Sequence, residues 1–586
     1  MIFREGNQVN NISRRSFLKG SLAGAVGVGM MGMGLASAEE NQAINWDYEA
    51  DVVVMGIGGA GASAAIEAHD AGAKVIVVEK QPEDHCFNNT RMSGGYFHNP
   101  DPTGDRAARV EYIKAMMSGE NCPWKFEGEQ EHVSQEMAEM FADGIMEVAD
   151  FLKAQAPELD EEDMTPGGDA SFPSFPSFAE AKYGHTVHCR YKDFANADPE
   201  KRPYQQEMMH KTNGEAFWWA LVEEGIKQKR PDIQILFGTP AQKILKNEAG
   251  EVIGVQALEG DKLVNILAKK GVVLATGGFE FSVEMRRAFL EGPGVKGWSF
   301  YGSPRNTGDG IRMGIEAGAA LSKVGKCASR IELAFPAGEA WEKYGLKQGV
   351  ASAVTAARNS FIVDNYGNRY ADESIITDSS RPFRYQFYHE AVAYDLLHMA
   401  FSRDPSWLIF DETLRSSTSI AVTGYSAVPF DFIPWTNDNM YAIEQGWILK
   451  ADTIEELGEK IKADEENRSM MDPATLKATA DRFNELVAKG EDEDFGRGAR
   501  TMGAVETGPF YAVKLYPGGP NTKGGVDADA TRHVLDWDGK QIPRLYTAGE
   551  ISSVYKFTYQ AGGNLTECIV CGRVAGKNAA AEESWC

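Results

Sequence analysis

Gly56-Ile57-Gly58-Gly59-Ala60-Gly61 has the residue types and spacing to cradle a phosphate group. Gly56 allows a tight turn, Gly58 lets the backbone approach a pyrophosphate, and Gly61 lets a following helix pack closely on a preceding strand. Glu79, further along, is a carboxylate suited to accept hydrogen bonds from ribose hydroxyls. The seven cysteines are Cys86, Cys122, Cys189, Cys327, Cys568, Cys571 and Cys586, an odd and scattered set that makes no disulfide framework. Cys568-Ile569-Val570-Cys571 is followed by Gly572, so the haem-attachment pattern ending in His is absent. The pair lies in an apolar helix-like run and reads as two buried small hydrophobes, against the alternative of a redox or metal site. No His/Cys/Asp/Glu constellation has metal-ligand spacing.

Three elements must position the glycines. Residues 51–55 form a short β-branched run, Ala64, Ala65, Ile66 and Ala68 continue as a helical pattern, and residues 74–78 form a second strand ending at Glu79. This is the strand, glycine-rich turn, helix and strand order that a dinucleotide needs, with the helix N-terminus offering N–H groups and partial positive charge to phosphates. There is no second such turn, so a separate NAD site is not indicated. The chain has 586 residues, enough for more than one structural unit. Its 59 Lys+Arg against 85 Asp+Glu give a formal net charge of −26, which disfavours nucleic acid or an anionic membrane surface as the main partner.

The N-terminal segment is an address. Asn11-Ile12-Ser13-Arg14-Arg15-Ser16-Phe17-Leu18-Lys19 precedes an uncharged Gly/Ala/Met-rich stretch that closes with Ala36-Ser37-Ala38. Paired arginines, weak hydrophobicity and a small-x-small cleavage site resemble a bacterial twin-arginine export signal over residues 1–38, against the alternative of an uncleaved membrane anchor. The mature protein is expected outside the cytoplasmic membrane, periplasmic or at the cell surface.

Further motifs follow in order. They are Asn89-Thr90-Arg91-Met92-Ser93-Gly94-Gly95, a strand-like stretch at 271–275 running into Thr276-Gly277-Gly278-Phe279, Asn306-Thr307-Gly308-Asp309-Gly310, Leu545-Tyr546-Thr547-Ala548-Gly549-Glu550, and Gly562-Gly563-Asn564. As a set, over about residues 48–580, they resemble the flavoprotein superfamily of soluble fumarate reductases, urocanate reductases and 3-ketosteroid dehydrogenases. The resemblance implies an α/β fold in which a Rossmann-like, discontinuous FAD-binding domain (46–327 and 517–580) carries an inserted α+β capping domain (328–516). It implies FAD as cofactor, with Glu79 on the ribose and Asp309 and Glu550 near other parts of the cofactor. Gly94 and Gly95 would let the backbone pass close to the isoalloxazine. Further contacts are implied from Gly56, Gly58, Ala60, Gly61, Lys80, Asn89, Thr90, Ser93, Ala241, Ala275, Thr276, Gly277, Asn564 and Leu565. The repeat at residues 171–178 (Ser-Phe-Pro-Ser-Phe-Pro-Ser-Phe) reads as an ordered surface loop or an aromatic lip over a channel.

Departures from the family pattern bear on substrate. Fumarate reductases hold carboxylates with a His just before Thr-x-Gly-Gly, here Asn521, and an Arg before Gly-Gly-Asn, here Gln560. Their proton-donating Arg lies four residues after Asn-Glu; counted from Asp372-Glu373, that place is Thr377. A dicarboxylate would lose charge-assisted hydrogen bonds of roughly 1.5–3 kcal/mol each, so fumarate is not expected. Thr558-Tyr559-Gln560-Ala561-Gly562-Gly563 instead resembles the ketosteroid enzymes, in which a Tyr and a Gly N–H grip the substrate ketone; Tyr559 and Gly563 match, while the family proline between them is missing. Tyr559 as simple turn packing is the alternative. Arg381 or Tyr385 is the candidate proton donor, with surface ion pairing the alternative for Arg381 and Arg384.

The expected activity is therefore flavin-dependent reduction of a C=C bond conjugated to a carbonyl, on a largely uncharged small molecule. Electrons would come from an external donor such as a quinol-linked cytochrome or small flavoprotein, which would also supply any membrane association. The rivals are the reverse reaction, a ketone dehydrogenase, and an electron-transfer or ligand-binding flavoprotein without turnover.

Overall fold

The apolar run around Val52, Val53 and Val54 forms the middle of a sheet because both of its faces are covered. The computed structural model describes residues 44–118, 133–157, 159, 186–188, 213–290, 292–352, 357–375, 386–421, 433–555 and 562–586. The leader, the 171–178 repeat, Thr377, Arg381, Tyr385, Tyr559 and Gln560 lie outside these residues.

The sheet runs His533–Leu535, Gln541–Thr547, Lys262–Leu274, Tyr48–Met55, Val75–Val78, Gln234–Leu236. The last five strands are parallel. Val52 and Val54 belong to one buried cluster and Val53 and Met55 to another, so the period-two alternation divides two cores rather than core and solvent. The stretch expected at 271–275 is the end of a longer strand, Lys262–Leu274, whose first half pairs antiparallel with Val252–Glu259.

The helices Gly59–Asp70 and Gly563–Ala581 lie together on one face. Their close approach needs glycine. A Cβ on Gly572 would sit 2.5 Å from the Ala60 carbonyl oxygen, and one on Gly576 would sit 2.1 Å from that of Ala64.

A second sheet is built around the long strand Phe510–Gly519, in the order Gln348–Val350, Arg330–Phe335, Phe510–Gly519, Ser406–Asp411, Ser360–Val363. These neighbours are all antiparallel. Trp407 and Ile409 enter one core and Leu408 and Phe410 the other. Ser299–Phe300 joins parallel at the Gly518–Gly519 end. Trp46–Cys586 form one compact unit, and no helix of the described residues is long and apolar enough to cross a membrane.

Candidate functional site

Parallel register aligns the carboxyl ends of the first sheet. Met55 pairs with Val78 and Leu274, Val78 with Leu236, and Leu274 with Thr547. The residues that follow each strand therefore emerge along one edge, where open α/β sheets bind ligands.

Gly56 turns there at φ +98°, its N–H donating to the Val78 carbonyl at 2.8 Å. A Cβ at Gly56 would lie 2.5 Å from the Ala275 carbonyl oxygen, and one at Gly61 only 1.8 Å from that of Gly56. At Gly58, just before the helix, a Cβ would meet only Thr90 Oγ1, at 3.7 Å, so the space above it is open. Gly59 N–H donates to Thr90 Oγ1 at 2.9 Å.

The helix N-terminus opens onto a cavity of about 400 Å³, within the range of small-molecule sites. Gly56, Gly58, Ala60, Glu79, Lys80, Asn89, Thr90, Ser93, Gly94, Ala241, Ala275, Thr276, Gly277, Asp309, Glu550, Asn564 and Leu565 all line it. Gly61, Gly95 and Gly563 are not among the lining residues. Gly61 packs beneath the turn, and Gly95 N–H is tied to Ser93 Oγ at 3.1 Å. Gly563 starts its helix against the Tyr555 ring, and Gly562, at φ +86°, is the residue exposed to the cavity.

Glu79 is held by its neighbours. Its two carboxylate oxygens accept from Ile57 N–H at 3.0 Å and Gln81 N–H at 2.8 Å, while burial raises its pKa. Lys80 Nζ donates to Asp309 Oδ2 at 2.7 Å and Thr307 Oγ1 at 3.0 Å. Burial pushes the Asp309 carboxyl up, but Lys80, Thr307 and Arg312 together outweigh this and hold it below the usual range.

A carboxylate pair lies deeper. Asn89 Nδ2 donates to Glu280 Oε1 at 2.8 Å and Glu550 Oε2 at 3.1 Å, and Thr522 Oγ1 is 3.0 Å from Glu280 Oε2 and 3.4 Å from Glu550 Oε1. Burial and the negative charge of Glu280 hold the Glu550 carboxyl well above the usual carboxylate range. The open glycine turn, the helix N-terminus aimed into the cavity and the acid at the end of the second strand together fit a dinucleotide.

Another stretch of wall is made by Tyr301, Gly302, Pro520, Asn521 and Arg330. Here the amide of Asn521 is turned inward: its Oδ1 accepts from Asn564 Nδ2 at 2.8 Å and its Nδ2 donates to the Thr522 carbonyl at 2.8 Å. Asp372-Glu373 is not in the wall. Glu373 forms a buried bidentate pair with Arg369, at 2.7 and 2.8 Å, and Arg369 also binds Asp492.

Sequence reasoning named neither Arg330 nor Glu280 nor Tyr301. Tyr301-Gly302 stands just before the Asn306-Thr307-Gly308 motif and could have been included with it. Arg330 carries no local signal, because pairing with Phe510–Gly519 places it. Cys571 is buried in the core, and Cys568 packs against the same core while also lining the cavity; both are free thiols. No group of metal-holding residues occurs among the described residues.

A family model described as FAD binding domain matches residues 51–565, and one described as a twin-arginine translocation pathway signal sequence matches residues 11–31. Similar curated proteins include digoxin reductase of Eggerthella lenta, 27% identical over 98% of this chain and 98% of its own length. The fumarate reductase (cytochrome) of Shewanella frigidimarina is 26% identical over 90% of this chain and 77% of its own. The 3-oxosteroid 1-dehydrogenase of Mycolicibacterium smegmatis is 28% identical over 91% and 97%. Among solved structures, the 3-ketosteroid Δ1-dehydrogenase of Sterolibacterium denitrificans aligns with a TM-score of 0.66 at 21% identity, covering 91% of this chain and 99% of that one, which is a likeness of fold.

Proposed function

Since the chain belongs to the FAD binding domain family, and is an exported FAD-dependent oxidoreductase of the fumarate reductase, urocanate reductase and 3-ketosteroid dehydrogenase superfamily, we propose that it reduces a C=C bond conjugated to a carbonyl group. The acceptor is a largely uncharged small molecule, and a dicarboxylate is disfavoured by the site. One observation carries this reading: Asn521, where fumarate reductases hold a basic residue, is uncharged, and its amide is engaged by Asn564 and the Thr522 carbonyl.

FAD, when bound, would supply two-electron chemistry, carrying electrons from an external donor to one alkene carbon as hydride. The chain does the rest. Gly56, Gly58 and the N-terminus of Gly59–Asp70 hold the pyrophosphate, Glu79 orients a ribose, and Lys80 with Asp309 fixes the wall beside it. Residues 328–516 act as the cap that excludes water from the reacting carbons, between the two segments 46–327 and 517–580. Tyr559 polarises the carbonyl, with Gly562, which lines the cavity where Gly563 does not, as the glycine beside it. A proton from Arg381 or Tyr385 reaches the carbon next to the one that takes hydride, so the product gains two hydrogens. Electrons arrive from a quinol-linked cytochrome or small flavoprotein outside the membrane, in anaerobic respiration.

The test is anaerobic. FAD-loaded protein is kept reduced by dithionite-reduced viologen, and dye reoxidation is followed with fumarate, urocanate, cinnamates, enone steroids and unsaturated lactones. Neutral enones should reoxidise the dye, and fumarate should leave it reduced. Turnover chiefly with carboxylates refutes the substrate class, and no turnover with any conjugated acceptor favours an electron-transfer role. The spacing of Tyr559 and Gly563, shared with ketosteroid enzymes, favours a second reading in which the reaction runs toward the unsaturated ketone; the same protein with an oxidising dye and saturated ketones reads that direction.

A further inference from the structure

Among the described residues lining the cavity two are cationic, Lys80 and Arg330. Lys80 is engaged by Asp309 and Thr307, on the wall beside Glu79. Arg330 belongs to the other wall. It begins the strand Arg330–Phe335 and stands opposite Gly518 in the antiparallel register, while the Ala328 N–H donates to the Asn521 carbonyl at 3.1 Å. Arg330 therefore lines the cavity next to Pro520 and Asn521. A single positive charge among the described residues thus stands on that wall, enough to meet one carbonyl oxygen but not the two carboxylates of fumarate.

The setting of Arg330 differs from that of the buried structural arginines. Arg91 and Arg369 each make bidentate contacts of 2.7–2.8 Å with a buried glutamate, Glu215 and Glu373 respectively. Glu332, two residues after Arg330 and hence on the same face of the strand, is 3.7 Å from Arg330 Nη1. It is fully buried and accepts a hydrogen bond from the Ser352 N–H. Burial pushes the Glu332 carboxyl up to about 7 in spite of Arg330.

We propose that Arg330 is a substrate-binding residue whose guanidinium donates hydrogen bonds to the carbonyl oxygen of the conjugated acceptor and stabilises the negative charge that gathers there as the C=C bond is reduced. This rests on the ene-reduction reading and adds a cationic donor to the oxygen site there assigned to Tyr559. A planar fork suits a carbonyl or enolate oxygen better than an ammonium would, because two N–H groups fix both position and orientation. In a cavity closed to water such a donor acts on developing charge without reorganising.

The test needs no turnover. Oxidised, FAD-loaded protein is titrated with para-substituted phenols of decreasing pKa, followed by flavin absorbance; a phenolate presents the anionic oxygen on a conjugated ring that an enolate presents. Wild-type affinity should rise as the phenol becomes more acidic. Arg330→Gln should lose about 100-fold in phenolate affinity and flatten that dependence, and Arg330→Lys should lose about tenfold. Glu332→Gln removes the carboxylate that competes for the guanidinium and should tighten binding several-fold. Flavin absorbance reports whether each variant keeps its cofactor, and Arg330→Lys carries the test if Arg330→Gln does not. Equal phenolate affinity in wild type and the arginine variants, or a wild type indifferent to phenolates, overturns the proposal. Failure of every acceptor in the viologen assay removes the ene-reduction reading and is a separate result.

Discussion

A methyl group at position 61 and one at position 58 differ by a single carbon each from the native chain, yet they should fail in different ways. At Gly61 the added Cβ would stand 1.8 Å from the Gly56 carbonyl oxygen, which is backbone and cannot swing aside. The helix Gly59–Asp70 would have to lift from its strand, taking Ala62, Ala64, Ala65 and Ile66 out of the core. Gly61→Ala should thus lower Tm and leave the protein with little flavin. At Gly58 the backbone is at φ −68°, open to any residue, and the Cβ would meet only Thr90 Oγ1 at 3.7 Å. Gly58→Ala should fold with an unchanged Tm in the absence of FAD, but bind FAD roughly 10–100-fold more weakly, because the methyl occupies the space a phosphate would take. Fluorescence titration of FAD into both deflavinated variants, with melting curves, checks this. A Gly58→Ala variant that binds FAD like wild type would show that the turn does not approach the cofactor.

The element that holds the turn in place is the contact between Gly59–Asp70 and Gly563–Ala581. Gly572 and Gly576, one turn apart, receive the carbonyls of Ala60 and Ala64. Either glycine changed to Ala forces the helices apart at a cost of about 1–3 kcal/mol. Once they have separated, the second change meets less resistance, so the double variant should cost less than the sum of the singles. Thermal melts of the three proteins measure the shortfall; full additivity would mean that the two contacts yield independently. This pair also marks how far the sequence could be read. The run around Cys568–Cys571 reads as a helix from its apolar residues, and the glycine turn, the strands and Glu79 are legible because strand, turn and cap signals are local. What Gly572 and Gly576 pack against is not local. Arg330 is illegible for the same reason: it faces the cavity because Arg330 lies opposite Gly518, a register fixed by side chains nearly two hundred residues apart in the chain. Glu280 could be seen as following Thr276-Gly277-Gly278-Phe279, but its pairing with Glu550 depends on Asn89 and Thr522 arriving from two other elements.

Across the whole unit, the cavity wall is drawn from residues near 55–60, 78–96, 241, 275–277, 301–313, 330, 520 and 548–568, so a cofactor filling it would meet several strand ends of the first sheet and the edge of the second. Binding to the folded state alone must then stabilise the unit by RT ln(1 + [L]/Kd), about 4 kcal/mol at a thousandfold excess of ligand over Kd. For a unit of this size the unfolding entropy is on the order of 1 kcal/mol per degree, so FAD at that excess should raise Tm by about 4 °C. ADP divides the wall in two. It can use the glycine turn, Glu79 and the Lys80–Asp309 pair, but it lacks the ring system that would extend toward the wall of Tyr301, Asn521 and Arg330. At equal concentration ADP should therefore give less than half of the FAD shift, measured at one scan rate on deflavinated protein. An ADP shift as large as that of FAD would mean the second wall makes no contact with the flavin half of the cofactor. A protein whose Tm responds to neither ligand would place the cofactor outside this cavity.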